Sequence, residues 1–144
     1  MVNYVQRQVF EILEKFVTCK TRKEKIEHLQ LNNIMPLKDV LRGTFDDKIQ
    51  WNLPPGKPPY TANRPESTPS TLLKQHKKFK YFVKGFRESE SLIPVKRERM
   101  FIDMLESIHP EDADILISMI NKKPPVKGLT KKIVEEAFPN LIST

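Results

Sequence analysis

The sequence predicts an all-α fold, with about seven short helices in two helical subdomains joined by an extended proline-rich segment. Apolar residues recur at three- and four-residue spacing through most of the chain, which is the period of an amphipathic helix. Prolines stand where helices would begin or break, and the chain has 12 prolines against 4 glycines. Only residues 48–53 alternate polar and apolar side chains. Because no second convincing strand exists, we expect an extended arm there.

The N-terminal subdomain, residues 1–47, is predicted to contain three helices. The first covers residues 3–18, where apolar side chains repeat at helical spacing between glutamine, arginine and glutamate. Thr21, followed three residues later by Glu24, forms a capping-box pattern and opens a second helix that runs to about residue 31. Pro36 suits the first turn of a third helix over residues 37–42, and Gly43 is expected to end it.

Residues 48–69 are predicted to link the two subdomains without regular structure. Six prolines lie within residues 54–69, which we call the strap; each fixes its backbone angle and lacks an amide donor. Trp51 and Tyr60 bracket the first prolines and are expected to anchor the strap on the protein's own surface. An alternative reading is a peptide ligand for an aromatic-lined groove, because Pro55 and Pro58 have the required spacing.

The C-terminal subdomain, residues 70–144, is predicted to open with two helices. Ser70 or Thr68 would cap the first, which runs to about Gly85 and whose apolar side is expected to be Leu72, Phe79, Phe82, Val83 and Phe86. Pro94 starts the second, which carries the clearest apolar stripe of the chain. Its members are Met100, Phe101, Met104, Leu105 and Ile108. We expect this stripe to be core, with an oligomer contact as the alternative.

Two further helices are predicted after residue 109. Pro110 begins one of them, and the acidic residues 111, 112 and 114 in its first turn compensate the helix dipole. The proline pair at 124–125 is expected to break it. Thr130 would cap the last helix, with Leu129 and Val134 as a hydrophobic staple, and Pro139 would end it.

The positive charge of the chain is concentrated in its middle. Formal net charge is +7, and residues 52–87 supply all of that excess, because the net charges of the segments before and after them cancel each other. The predicted helix over residues 70–85 and its end carry most of these cations: Lys74, Lys77, Lys78, Lys80, Lys84 and Arg87. A concentrated field of this kind predicts binding to an acidic partner.

Aromatic residues 76, 79, 81 and 82 are interleaved with these cations. Cations neutralise phosphates and exposed aromatic rings stack on bases, so the helix is a candidate site for nucleic acid or another polyanion. The alternative is a solvated helix face whose phenylalanines belong to the core. A helix-turn-helix at residues 21–43 or 95–121 is disfavoured, because both lack the short glycine-containing turn.

The sequence shows no pattern typical of catalysis, and we predict no catalytic residues, no cofactor and no metal. His28, His76 and His109 are scattered without cysteines beside them, and His109 at a helix start suits capping or packing. Cys19 is the only cysteine, so it forms no internal disulfide and suits a reducing compartment. We also expect no signal peptide and no transmembrane segment.

Several blocks of the chain resemble a small protein family encoded by tailed bacteriophages, especially large myovirus-type phages of marine cyanobacteria. The blocks are Leu53-Pro54-Pro55-Gly56-Lys57-Pro58-Pro59-Tyr60, Tyr81-Phe82-Val83-Lys84-Gly85, Lys96-Arg97-Glu98-Arg99-Met100-Phe101-Ile102, Leu105-Glu106-Ser107-Ile108-His109-Pro110, Gly128-Leu129-Thr130 and Glu136-Ala137-Phe138-Pro139. The resemblance implies a viral origin, synthesis in a bacterial cytoplasm, and a role in phage replication, host takeover or virion assembly. It brings no catalytic residues to this chain.

Two functions follow as expectations. The first is a non-enzymatic phage protein that docks through its basic aromatic helix onto a phage or host protein complex, in the cytoplasm of an infected bacterium or as part of the virion. The second is an accessory protein that binds DNA or RNA directly, with affinity that falls steeply as salt rises. An enzyme with an unrecognised site is the least favoured class.

Overall fold

The computed structural model describes residues 7–142, and this part of the chain is all-α, as predicted. Eight α-helices and one 3-10 helix are present there: α1 (Val9–Thr18), α2 (Arg22–Leu31), α3 (Met35–Phe45), α4 (Leu72–Gln75), the 3-10 helix (His76–Phe82), α5 (Arg87–Glu90), α6 (Pro94–Leu105), α7 (Pro110–Ile120) and α8 (Lys131–Ala137). The only β pairing in this part is one isolated antiparallel bridge between Trp51 and Val83. No helix among the described residues has the length and apolar character of a membrane span.

The helices before and after the strap share one hydrophobic core. α3 packs against α7, α2 packs against α8, and α1 lies between α2 and α7. The buried apolar side chains, from Val9 in the first helix to Ile142 beyond the last, form a single cluster. The described residues therefore have one core, while the predicted division into subdomains at residues 47 and 69 stays a prediction.

The first helix begins later than the sequence predicted. Residues 3–6 lie outside the described part, and Arg7 and Gln8 precede the helix, which starts at Val9. The backbone amide of Gln8 donates to the Glu11 carboxylate at 2.9 Å, so Gln8 stands at the helix boundary. At the next helix the predicted cap is confirmed, because the Glu24 amide donates to Thr21 Oγ1 at 3.1 Å.

Gly43 does not end the third helix, which continues to Phe45. The glycine serves a close contact instead. A Cβ atom at this position would lie 2.5 Å from Cζ2 of Trp51 and 2.9 Å from Sδ of Met119, so no larger residue fits without displacing them. Lys122 closes the helix: its Nζ donates to the carbonyl of Gly43 at 2.7 Å and to that of Asp46 at 2.9 Å.

The predicted α-helix over residues 70–85 is wrong in its geometry. Only one α-helical turn forms, at α4, and the chain then tightens into a 3-10 helix that ends at Phe82. The buried residues His76, Phe79 and Phe82 are spaced by three. A 3-10 helix has three residues per turn, so this spacing places all three on one face. Phe86, expected on the buried side, is 43% exposed.

The short helix α5 was not predicted, and the arm before the strap packs close to it. Arg97 is buried and donates to three carbonyls, those of Asn52 at 2.7 Å, Ser89 at 3.1 Å and Leu92 at 3.0 Å. These bonds fasten the arm and the end of α5 onto α6. One guanidinium thus satisfies backbone acceptors that the irregular chain leaves without partners.

The last three helices follow the predictions closely. α6 begins at Pro94 and its stripe is core, since Phe101, Met104, Leu105 and Ile108 are all buried. α7 begins at Pro110 but ends at Ile120, before the proline pair, because the chain turns at Lys122 with a positive φ of 57°. Thr130 caps α8 by accepting the Ile133 amide, as predicted.

Candidate functional site

The six cations predicted as a binding site all lie on the exterior of residues 72–87, and we call them the basic surface. They are Lys74, Lys77, Lys78, Lys80, Lys84 and Arg87. None of these side chains forms an ion pair or a hydrogen bond with the described residues, and residues 70–87 contain no acidic residue. The charge of this surface is therefore not neutralised within its own segment.

The 3-10 geometry divides the basic surface instead of aligning it in one stripe. Lys77 and Lys80 are one turn apart and line the same groove, next to α3. Lys78 lies on another side, where it borders Asp103 of α6. The single α-helical stripe considered from the sequence is therefore absent, because a three-residue period places the lysines in separate rows.

Most of the aromatic rings between the cations are turned into the core. Phe79 is 7% exposed and Phe82 1%, while Tyr81 is half-buried under the ammonium of Lys80, which lies 5.6 Å from its ring centroid. Phe82 packs edge-to-face on Phe101 of α6 at 5.3 Å. These rings hold the segment in place and leave little open ring surface for bases to stack on.

Trp51, predicted as a strap anchor, lies at the junction between α3 and residues 72–87, which we call the basic segment. Its Nε1 donates to the carbonyl of Gly43 at 2.9 Å, and its ring meets Phe79 edge-to-face at 6.0 Å. Its backbone pairs with Val83, flanked by hydrogen bonds from the Asn52 amide to the Phe82 carbonyl and from the Lys84 amide to the Gln50 carbonyl. The basic segment is thus clamped at its end by the arm.

A second clamp joins the basic segment to α3. His76 is buried, and its Nδ1 lies 2.6 Å from Oδ2 of Asp39. The pair fixes the start of the 3-10 helix against the middle of α3. Sequence reasoning treated His76 only as an interleaved aromatic and did not find Asp39, because the two residues are 37 positions apart.

Between α3 and the 3-10 helix lies a groove with a cavity of about 310 Å³, which we call the α3 groove. Its cationic lining is Arg42, Lys77 and Lys80, and its aromatic lining is Trp51, Phe79 and Phe86. Arg42 is half-exposed, and its Nε lies 3.6 Å from Asp46, longer than a well-formed hydrogen bond. Nothing in the sequence pointed to Arg42, because only the packing of α3 brings it to these lysines.

Tyr60, the other predicted anchor, is half-buried beneath the Lys57 ammonium, which lies 5.7 Å from the ring centroid. Burial raises the pKa of its hydroxyl, and the negative charge of Asp114 adds to the rise. The ring therefore lies against the protein's own surface, on the side of α7 that carries Asp114.

The strap follows α6 and α7 and is tied to them by hydrogen bonds. Asn121 accepts the amide of Gly56 at 2.7 Å and donates to its carbonyl at 3.0 Å. Farther along, the Thr61 amide donates to Glu106 at 2.8 Å, and the Asn63 side chain donates to the Ile108 carbonyl at 2.9 Å. The strap therefore covers the protein's own surface.

The remaining histidines and the cysteine have structural contacts. His28 is buried with Nε2 2.8 Å from the Ile12 carbonyl. His109 caps α7 by accepting the Glu111 amide at 3.1 Å and stacks on Phe10 at 4.0 Å, which confirms the capping and packing reading. Cys19 is half-buried. Within residues 7–142, no three histidine, cysteine or carboxylate side chains gather as metal ligands would.

Asp112 is a fully buried carboxyl in the first turn of α7. One oxygen accepts the Phe10 amide at 3.0 Å, which ties α1 to α7, and the other has no hydrogen-bond partner. Burial raises the pKa of Asp112 to about 7, although the bond from Phe10 acts in the opposite direction. The sequence suggested dipole compensation for this residue and gave no sign that it would be buried.

The fold and these contacts define a small all-α protein with one clamped segment whose six exposed cations have no ion pair within residues 7–142. The chain belongs to a family of unknown function, DUF6433, whose profile matches residues 12–124. Searches of curated proteins and of solved structures each found no match. The matched range includes the strap, the basic surface and every residue that lines the α3 groove.

Proposed function

We propose that this protein is a non-enzymatic binding protein of a tailed bacteriophage, which docks through its basic surface onto an acidic face of a phage or host protein complex. It acts in the cytoplasm of an infected bacterium, either free or on its way into the virion. The phage origin rests on the sequence blocks that resemble proteins of myovirus-type phages. The docking role rests on the geometry of residues 72–87.

One observation carries the docking role: six exposed cations share a short segment that contains no acidic residue and offers them no ion pair. Charges of one sign that are close together produce a field that steers an oppositely charged partner and speeds its association. Because the segment is clamped by Trp51 and by the Asp39–His76 pair, little order has to be gained on binding.

Direct binding of DNA or RNA is the second candidate. The same unpaired cations would neutralise phosphates and release counterions. What disfavours it is the position of the rings, because Phe79 and Phe82 are buried in the core and only Phe86 has a substantially open face. A binding mode without stacking would depend on charge alone.

Affinity capture from phage-infected cells tests the proposal. The bait carries Lys74, Lys77, Lys78 and Lys84 changed to glutamate, and it is compared with the wild-type protein. The matched control reverses four exposed lysines elsewhere, Lys20, Lys96, Lys123 and Lys127, so that both variants change net charge equally. We expect the first variant to lose the captured partner and the control to retain it. Equal capture by all three baits would refute the docking role, and loss of capture after nuclease treatment would favour the second candidate.

A further inference from the structure

The α3 groove adds a specificity element to the basic surface, because it places apolar walls between cationic rims. Three cations line it, namely Arg42, Lys77 and Lys80, against one carboxylate, that of Asp39. That carboxylate is engaged by His76 at 2.6 Å. Arg42 also forms an ion pair with Asp46, with its Nε 3.6 Å from Oδ2, so Lys77 and Lys80 are the lining cations without an ion pair among the described residues, and they attract an anionic ligand.

The interior of the groove is apolar. Ile49 and Val83 join Trp51 and Phe79 along its walls, and Phe86 stands at the surface with 43% of its area exposed. An exposed phenylalanine loses solvent contact when an apolar side chain enters the groove, which favours binding. The cavity of about 310 Å³ is at the lower end of the range for ligand pockets, about 300–1,000 Å³, so one inserted side chain suits it better than a folded surface.

We infer that the α3 groove receives an acidic peptide segment of the partner, in which one apolar anchor residue is flanked by carboxylates. The anchor lies against Phe86 and Trp51, and the flanking carboxylates pair with Arg42, Lys77 and Lys80. This inference rests on the proposed function and specifies its partner. A buried apolar anchor surrounded by charge pairs is the arrangement that concentrates binding energy in protein interfaces.

The exposed ring surface favours a peptide over a nucleic acid in this groove. A base stacks on an open ring face, but Trp51 and Phe79 are only 8% and 7% exposed, so Phe86 alone among the rings that line the groove offers one. An apolar side chain needs only an apolar wall, which these residues provide. The groove is thus matched to a carboxylate-flanked leucine or phenylalanine.

Trp51 is the only tryptophan in the chain and lines the groove, so its fluorescence reports occupancy directly. The probes are a short glutamate-rich peptide with one central phenylalanine, the same peptide with serine in its place, and an oligothymidylate. We expect the phenylalanine peptide to change Trp51 fluorescence and to bind about tenfold more tightly than the serine peptide, the discrimination typical of one buried anchor.

Three variants test whether peptide binding depends on the groove or on the surface around it. Phe86→Ser should weaken the phenylalanine peptide about tenfold, and the double change Lys77→Ala and Lys80→Ala should weaken both peptides. Ile93→Ser, which removes a still more exposed apolar side chain outside the groove (67% against 43% for Phe86), should change neither. Circular dichroism checks that each variant is folded.

Three outcomes overturn the inference. If both peptides bind equally and Phe86→Ser has no effect, the groove has no anchor role, while the docking proposal stands if partner capture still depends on the lysines. If neither peptide binds, the assigned ligand class is wrong, and the capture experiment alone decides the docking role. If the oligothymidylate produces the Phe86-dependent signal instead, the groove is a nucleic-acid site.

Discussion

The strap, which has no regular structure, and the basic segment, which is mostly α4 and the 3-10 helix, are of similar length, yet they use their polar groups in opposite ways. The strap donates and accepts hydrogen bonds along α6 and α7, through Gly56, Thr61 and Asn63. The basic segment buries Phe79 and Phe82 and leaves six cations without an ion pair or side-chain hydrogen bond within residues 7–142. The polar groups of the strap are thus bound by the molecule itself, whereas the charges of the basic segment face solvent, and we propose that they bind another molecule.

The largest expected loss of stability comes from the residue that holds the basic segment in place. Trp51→Ala removes the indole hydrogen bond to Gly43 and the packing on Phe79. Loss of a buried tryptophan costs about 3–5 kcal/mol in cores. We expect a decrease of that size in the free energy of unfolding, measured by urea denaturation, together with weaker docking. A decrease below about 1 kcal/mol would show that the clamp does not support the segment.

The next largest effect on stability is expected at Asp112, a carboxyl buried in the core with one oxygen that has no hydrogen-bond partner. It contrasts with the solvent-exposed cations of the basic surface. The folded protein keeps the proton of Asp112 up to a pKa of about 7, whereas the unfolded chain loses it near the ordinary value of 3.8. The folded state therefore binds the extra proton between these values, and stability contributed by this group falls as pH rises through that window. Asp112→Asn removes the penalty and keeps an oxygen for the Phe10 amide.

The free energy of unfolding of Asp112→Asn should therefore rise relative to that of the wild-type protein as pH rises from about 4 to about 7, and this gain should then stay constant. Its upper bound is about 4 kcal/mol, since each unit of pKa difference corresponds to about 1.4 kcal/mol. Urea denaturation of both proteins across this range measures it. A difference that does not change with pH would mean that the carboxyl is not titrating as its burial requires.

A smaller effect is expected where the strap is tied down. Asn121→Ala removes both hydrogen bonds to Gly56 and one to the Ile117 carbonyl. We expect a loss of about 1–3 kcal/mol and faster proteolysis within residues 54–69, with docking through the basic surface unchanged. If docking weakens as much as stability, the strap belongs to the interface and the contrast between the two regions fails.

The smallest effect on stability is expected at the basic surface itself. The side chains of Lys74, Lys78 and Lys84 form no ion pair or hydrogen bond within residues 7–142, so changing them to glutamate should shift the free energy of unfolding by less than about 0.5 kcal/mol. The measurement is thermal unfolding next to the wild-type protein. A clear loss of stability would show that these lysines hold the fold together, and their role in docking would need another explanation.

Sequence reasoning succeeded where the determinants are local. The all-α class, the caps at Thr21 and Thr130 and the proline-started helices depend on residues within one turn of each other. It failed at Gly43, because the residue that requires a glycine there is Trp51 on another segment. The 3-10 helix had a readable signal, since its buried residues His76, Phe79 and Phe82 are spaced by three.

The candidate site was predicted in part. All six cations were found from the charge pattern, because solvated lysines need no tertiary contact to be exposed. The α3 groove was not found, since Arg42 and Asp39 reach it only through the packing of α3 against the basic segment. The open ring of Phe86 was also missed, because the predicted α-helix placed it on the buried side.

The central claim is that the basic surface docks on an acidic protein partner rather than on nucleic acid. Fluorescence anisotropy of labelled single- and double-stranded DNA and RNA, titrated with the protein at low and physiological salt, tests it most directly. We predict weak binding at low salt that disappears at physiological salt and is little changed by Phe86→Ser. Tight binding to duplex with a salt slope of about −0.9 per phosphate contacted, abolished by the four-lysine reversal and kept by the matched control, would contradict the claim.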